Sequence, residues 1–220
     1  MTQDNELLRL DFHAPPYDDA TLERATGHLE AGGLLVYPTE TVYGFGCGLD
    51  ESALDRLSRL KRRSPDHPFL LLIPDRDSVA DLRWTPAAEE LADVFWPGAL
   101  TLILEDRQGR YPEAVRGPGG GVAVRRSPHP VARALVDRWG SPLTSTSANV
   151  PGEAPARTAA MAEAAALRLG AGEETWVLDG GTLSPSEPST IVDCTGEEPY
   201  VVRAGAVSAE RLRFARRAGS

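Results

Sequence analysis

Among the 23 basic side chains of this chain only one is a lysine, Lys61, in the run KRRSPDHP; all the others are arginines. An ammonium is a compact point charge with three rotatable donors, suited to close approach to a phosphate or a reacting oxygen where a planar guanidinium fits poorly. Arg63 follows two residues later. Further cations and neutral hydrogen-bonding side chains recur in short polar runs next to apolar ones: Thr39 in PTETVYG, Arg125 in AVR, Ser145, Ser147 and Asn149 in STSAN, Ser189 in STIVD and Arg203 in VVRAG. Carboxylates and phosphates require such donors, and glycine- and hydroxyl-rich loops add backbone N–H groups. No Ser/His/Asp order, carboxylate pair or cysteine–histidine pair accompanies them, so the expected chemistry is positioning and charge stabilisation, not covalent catalysis. Taken singly, each residue has an ordinary role, as a helix-end cation, a turn-capping serine or a solvated arginine. Only their joint occurrence points to a small anionic ligand.

Other motifs are weaker. GPGGG is followed by no lysine and leads into a strand, so it is not a phosphate loop of the Walker type, and GFGCG misses the GxGxxG spacing. Ser58–Lys61 and Ser147–Asn149 have the form of the SxxK and SxN motifs of penicillin-recognising serine enzymes, but no lysine remains for a KTG motif and Ser58 stands late in its helix. Cys47 and Cys194 form no CxxC pair, which leaves a disulfide framework and a cysteine-based zinc site unsupported. His13, His28, His67 and His129 lack ligand spacing, and no protein-held metal is expected.

The elements that must position these residues alternate along the chain. Leu22, Ala25 and Leu29 fall on one face of a helix over 19–31, and LLVY at 34–37 reads as a buried strand closed by Pro38. PTETVYGFGCG is expected as a loop. A helix over 51–61 turns Leu54, Leu57 and Leu60 inward and delivers Lys61 at its last turn, with Pro65 and Pro68 preventing continuation. FLLLI (69–73), ALTLILE (99–105) and GVAVR (121–125) read as strands, AAEELADVF, HPVARALVDRW and TAAMAEAAALRL as helices, and PLTSTSAN as a short strand entering a polar loop. TWVLD, STIVD and YVVR suggest three successive late strands, with a final helix near 208–217. The expectation is an α/β fold with a twisted mixed parallel and antiparallel sheet flanked by helices, one domain over 1–220 with its core at about 18–205. A net charge of -9 opposes non-specific binding to a long polyanion. No membrane span or secretion signal is visible, and a cytoplasmic protein without a membrane partner is expected.

In their order, YPTETVYG, the KxR of Lys61 and Arg63, WPGALT, AVR, STSAN with a following glycine, and STIVD followed by VVRAG resemble the YrdC-like threonylcarbamoyl-AMP synthases, over about residues 33–204. That resemblance implies an α/β sheet with a concave basic cavity. It implies a nucleotidyltransferase that carboxylates the amine of L-threonine with bicarbonate or carbon dioxide and joins the carbamate to the α-phosphate of ATP. Pyrophosphate leaves, and a separate transferase complex passes the threonylcarbamoyl group to adenosine 37 of tRNA, with tRNA contact an open partner. By the same resemblance Thr39, Arg125, Ser145 and Ser189 contact threonine. Lys61, Arg63, Ser147 and Asn149 act at the reacting groups, and Lys61, Arg63, Ser147 and Arg203 bind ATP, with Mg2+ arriving on the nucleotide. Gly121 departs from a hydroxyl residue often found there, and Leu72 from a histidine in some members. The chain ends soon after the Arg203 motif, so the C-terminal domain of longer members is expected to be absent. A non-catalytic RNA-binding paralogue of the same fold is the alternative; the retained lysine favours the enzyme, because a phosphodiester backbone would accept arginine as well.

Overall fold

The computed structural model describes residues 6–64 and 66–212 of the chain. One sheet of ten strands runs through it: β1 (Arg9–Asp11), β2 (Leu34–Pro38), β3 (Tyr43–Gly46), β4 (Leu70–Leu72), β5 (Leu100–Glu105), β6 (Gly121–Arg125), β7 (Leu143–Ser147), β8 (Thr175–Asp179), β9 (Thr190–Asp193) and β10 (Tyr200–Arg203). The spatial order is β1-β8-β2-β3-β7-β4-β6-β5-β9-β10. Parallel pairs (β1·β8, β2·β8, β4·β6, β5·β9) mix with antiparallel ones (β2·β3, β3·β7, β4·β7, β5·β6, β9·β10), so the mixed α/β sheet expected from the pattern is present. The helices are α1 (Asp19–Glu30), α2 (Glu51–Lys61), α3 (Pro86–Phe95), α4 (Pro130–Trp139) and α5 (Ala159–Leu169). No described helix is long and apolar enough to cross a membrane.

Local chemistry places the helix ends. Asp18, Asp50, Thr85 and Thr158 each accept a backbone N–H of the first turn they cap, which satisfies donors that an α-helix leaves orphaned. Alternation along the strands then divides the interior in two. Leu34, Val36, Phe45, Leu71, Leu102 and Val124 face one core with Leu54, Leu57 and Leu91, and Leu35, Tyr37, Leu72 and Leu143 face the other with Leu22, Leu29, Val131 and Leu135. Helices α1 and α4 pack together on this second face, against β2, with Leu72 of β4 and Leu143 of β7 at the limit of the cluster they cover. Farther along that face Leu70, Ile103, Gly121, Ala123 and Ile191 are partly exposed, alternating with fully buried neighbours. This uncovered part of the sheet borders the candidate site.

One expectation is corrected. PTETVYGFGCG is not all loop: Tyr43–Gly46 is a fully buried strand that pairs antiparallel with β2 and β7, and Pro38 belongs to β2, opposite Tyr43. The glycines that disguise it serve close packing. A Cβ on Gly46 would stand 2.1 Å from the Thr144 carbonyl oxygen and 2.8 Å from the Tyr37 ring. The three successive late strands are present, and they separate in space: β8 inserts between β1 and β2, whereas β9 and β10 extend the far edge. Finally, the strand β1, which no pattern announced, pairs with β8 through only three residues. The expected last helix is helical over 209–212, and its remainder lies outside the described residues.

Candidate functional site

Helix α2 ends in a way that explains the KxR spacing. Arg62 adopts a left-handed conformation (φ 49°), and the N–H groups of Arg62 and Arg63 return to the carbonyls of Arg59 and Ser58. The reversal leaves Arg62 exposed while Lys61 before it is buried and Arg63 after it is half-buried. Lys61 Nζ donates to the carbonyls of Ser147 (2.8 Å) and Asn149 (2.6 Å) and lies 3.2 Å from Asn149 Oδ1. Asn149 Oδ1 also accepts from Ser147 Oγ at 2.6 Å, and Asn149 Nδ2 donates to the Val150 and Glu153 carbonyls. Arg63 donates to Thr146 Oγ1 (2.6 Å) and to the carbonyls of His67 and Pro68, with its guanidinium over the Phe69 ring. Lys61, Ser147 and Asn149 therefore form one hydrogen-bonded network at the end of β7, and Arg63 stands next to it on the adjoining Thr146.

Every partner in this network is neutral. Among the described residues neither Lys61 nor Arg63 forms an ion pair with a carboxylate. Burial, and next the charge of Arg63, push the Lys61 ammonium down to about 8, and burial lowers Arg63 as well. Two adjacent desolvated cations without a counterion are electrostatically suited to an anion.

A second group lies across β4 and β6. Arg125, the last residue of β6, is 3% exposed and its Nη1 stands 3.0 Å from Glu40 Oε1 in the β2–β3 hairpin. Its Nε is buried without a hydrogen-bond partner. Ser189 Oγ lies 2.9 Å from Thr101 Oγ1 and accepts from Arg203 Nη2 at 3.1 Å, while the Ser189 carbonyl accepts from Arg203 Nε and Nη2. Although β10 is an exposed edge strand, the Arg203 guanidinium tucks back over β9; desolvation and then the charge of Arg125 lower its pKa. Thr39 is buried in the same hairpin as Glu40, its hydroxyl donating to the Val42 carbonyl at 2.7 Å. Ser145 is buried on β7, paired in register with Leu70.

The structure thus brings Arg125, Arg203 and Ser189 together, places Thr39 in the adjoining hairpin and sets Ser145 on the strand that leads into the Lys61 network. Sequence reasoning missed Glu40, Thr101, Ser127 and Thr146. Glu40 carried a signal, as the one carboxylate within PTETVYG; Thr101 and Thr146 are strand residues whose neighbours only pairing reveals. Gly121 sits where a Cβ would meet Ile103 Cγ2 at 2.5 Å, so Ile103 occupies the space a hydroxyl side chain would need. Leu72 is fully buried in the second core, opposite Arg125 in register. Burial pushes the Cys47 thiol up to about 12, unsuited to a nucleophile. Among the described residues no group of three or more His, Cys, Asp or Glu side chains is arranged to hold a metal.

Residues 28–205 match the sequence model of the Sua5/YciO/YrdC family, described as "Telomere recombination". A protein of Xanthomonas euvesicatoria pv. vesicatoria named threonylcarbamoyl-AMP synthase is 39% identical over 183 residues, covering 80% of this chain and 94% of the relative. One of the same name from Xanthomonas campestris pv. campestris is 40% identical over 184 residues, covering 80% and 95%. The structure of P. abyssi Sua5 complexed with L-threonine superposes with a TM-score of 0.84 at 30% identity, covering 95% of this chain and 60% of that one. This chain therefore spans about three fifths of the Sua5 chain. E. coli YciO gives a TM-score of 0.79 at 25% identity, covering 94% and 99%.

Proposed function

The chain belongs to the Sua5/YciO/YrdC family, and on that footing we propose that it is an L-threonylcarbamoyladenylate synthase, a nucleotidyltransferase acting in tRNA modification. The amine of L-threonine loses a proton and bonds to the carbon of carbon dioxide, supplied as such or as bicarbonate. An oxygen of the resulting carbamate attacks the α-phosphorus of ATP, and the α–β phosphoanhydride bond breaks to release pyrophosphate. The observation that carries this reading is the pair of desolvated cations Lys61 and Arg63, without a carboxylate partner among the described residues, together with the mutually felt cations Arg125 and Arg203, in a chain of net charge -9. Such a set suits substrates bearing a carboxylate, a carbamate and a triphosphate. The relatives' shared name favours catalysis over the RNA-binding alternative.

In this reading Arg125 meets the carboxylate of threonine through its unpartnered Nε edge, with Thr39, Ser145 and Ser189 around the amino acid. Lys61 and Arg63 meet the phosphates and the reacting carbamate, and the Ser147–Asn149 network holds the ammonium until an anion takes one of its donors. Arg203 serves the nucleotide. Mg2+ enters with ATP on phosphate oxygens; no carboxylate forms an ion pair with the Lys61–Arg63 end among the described residues. The product feeds a tRNA threonylcarbamoyl transferase complex in the cytoplasm.

The test is mass-spectrometric detection of threonylcarbamoyl-AMP from purified protein, ATP, threonine and bicarbonate, with pyrophosphate followed in parallel. Pyrophosphate release should require threonine and bicarbonate together. Equal release with threonine omitted would sink the reading.

A further inference from the structure

A buried guanidinium normally distributes its five N–H donors among several acceptors. Arg125 does not: among the described residues its side chain makes no hydrogen bond, and its one close polar partner is Glu40. Glu40 itself is anchored. Ser127 Oγ donates to Glu40 Oε2 and accepts the N–H of His129 at 3.2 Å, and His129 is the N-cap residue of α4. On the other side Ser186 Oγ donates to the Thr41 carbonyl of the hairpin at 3.1 Å. A relay thus runs from the start of α4 through Ser127 and Glu40 to Arg125.

Building on the proposed function, we infer that Glu40 is a positioning residue that fixes Arg125 for the substrate's carboxylate. Two opposite effects compete. Glu40 neutralises Arg125 and so weakens its pull on another carboxylate, yet it also holds the guanidinium in place. The geometry decides between them. Glu40 stands at Nη1 while Nε is already buried without a partner, so the side-on edge is available to a ligand with Glu40 in place. What removal does create is a buried cation with no counterion beside another cation, Arg203, and that arrangement drives the side chain out of place. A carboxylate at Glu40 also disfavours a second negative charge on the bound amino acid, which suits a monocarboxylate such as threonine better than aspartate or glutamate.

Calorimetry with L-threonine and, separately, with ATP on wild type, Glu40→Gln, Glu40→Asp and Ser127→Ala tests this, each protein checked by a thermal melt. Glu40→Gln should weaken threonine binding by about 10-fold or more, as expected when a binding group is misplaced, while ATP affinity stays within about twofold. Ser127→Ala, which keeps the charge but loses its anchor, should move the same way by less, and Glu40→Asp should recover part of the affinity. A uniformly structural role would lower both affinities together, and that result would overturn the inference. So would a folded Glu40→Gln protein, or a Ser127→Ala one if Glu40→Gln does not fold, that binds threonine as tightly as wild type or tighter. Wild-type protein that binds no threonine would instead overturn the proposed function, and the inference with it.

Discussion

Lys61 and Arg125 are both buried cations, 7% and 3% exposed, and they are held in opposite ways. Among the described residues Lys61 has its donors engaged by neutral oxygens and no counterion, whereas Arg125 has a counterion and no side-chain hydrogen bond. Hydrogen bonds to carbonyls fix direction without cancelling charge, so the Lys61 end keeps its positive potential for an anion. The anchored ion pair to one nitrogen offsets charge and holds the Arg125 guanidinium in place, while its Nε is left without a partner. The first arrangement suits a group on which charge changes during reaction, and the second a substrate carboxylate that must be held in one orientation.

The largest effect is expected at the lysine. Lys61→Arg should fold normally and lose turnover on the order of 10²-fold or more, because a planar guanidinium cannot donate to the converging Ser147 and Asn149 oxygens from the same point. Steady-state rates beside thermal melts check this. A fully active variant would place Lys61 on the same footing as any solvated helix-end cation and dissolve the contrast.

At the other end, Arg125→Lys should weaken threonine binding by about 10-fold and ATP binding far less, since a fork is replaced by a point charge. Separate titrations with each ligand decide it. Equal losses for both ligands would mean that the two ends act as one site.

The smallest effect concerns pH and sharpens the comparison without a mutation. With the native Lys61 pKa near 8 and the unfolded value near 10.5, the native state binds fewer protons than the unfolded state between those values. Lys61 therefore counts against stability below pH 8, and that cost is relieved as pH rises through the window. An anion must restore the proton, so ATP binding at pH 8.5–9 should take up protons and ATP affinity should fall as pH rises above about 8. Calorimetry in buffers of different ionisation enthalpy measures the uptake, and a Lys61→Gln variant should abolish it. An undiminished uptake in that variant would assign the titration to another group.

Much of the molecule was legible in one dimension. The 51–61 helix and its inward leucines follow from local propensity, and short apolar runs marked the buried strands. The cations and hydroxyls of the candidate site were legible as residue types because desolvated donors are chemically expensive to keep and stand out against an arginine-rich, acidic chain. What escaped was whatever depends on a distant neighbour. Gly44 and Gly46 read as loop residues because glycine is a loop residue by propensity; in the strand they occupy, Thr144 and Tyr37 leave no room for a Cβ at Gly46, and β7 makes the fit tight at Gly44. Strand β1 was invisible because three residues hold no periodicity.

Sequence by itself determined the alternation of helices and strands, the placing of caps and stops, and the stock of donors, since each depends on residues within a few positions of one another. Tertiary structure decided the strand order, which sets β8 apart from β9 and β10, and the partners of each cation. Only folding puts Asn149 beside Lys61 or Glu40 beside Arg125, across 88 and 85 positions of chain respectively, because which buried charge meets a carboxylate and which meets a carbonyl is set by sheet register and not by neighbours in sequence.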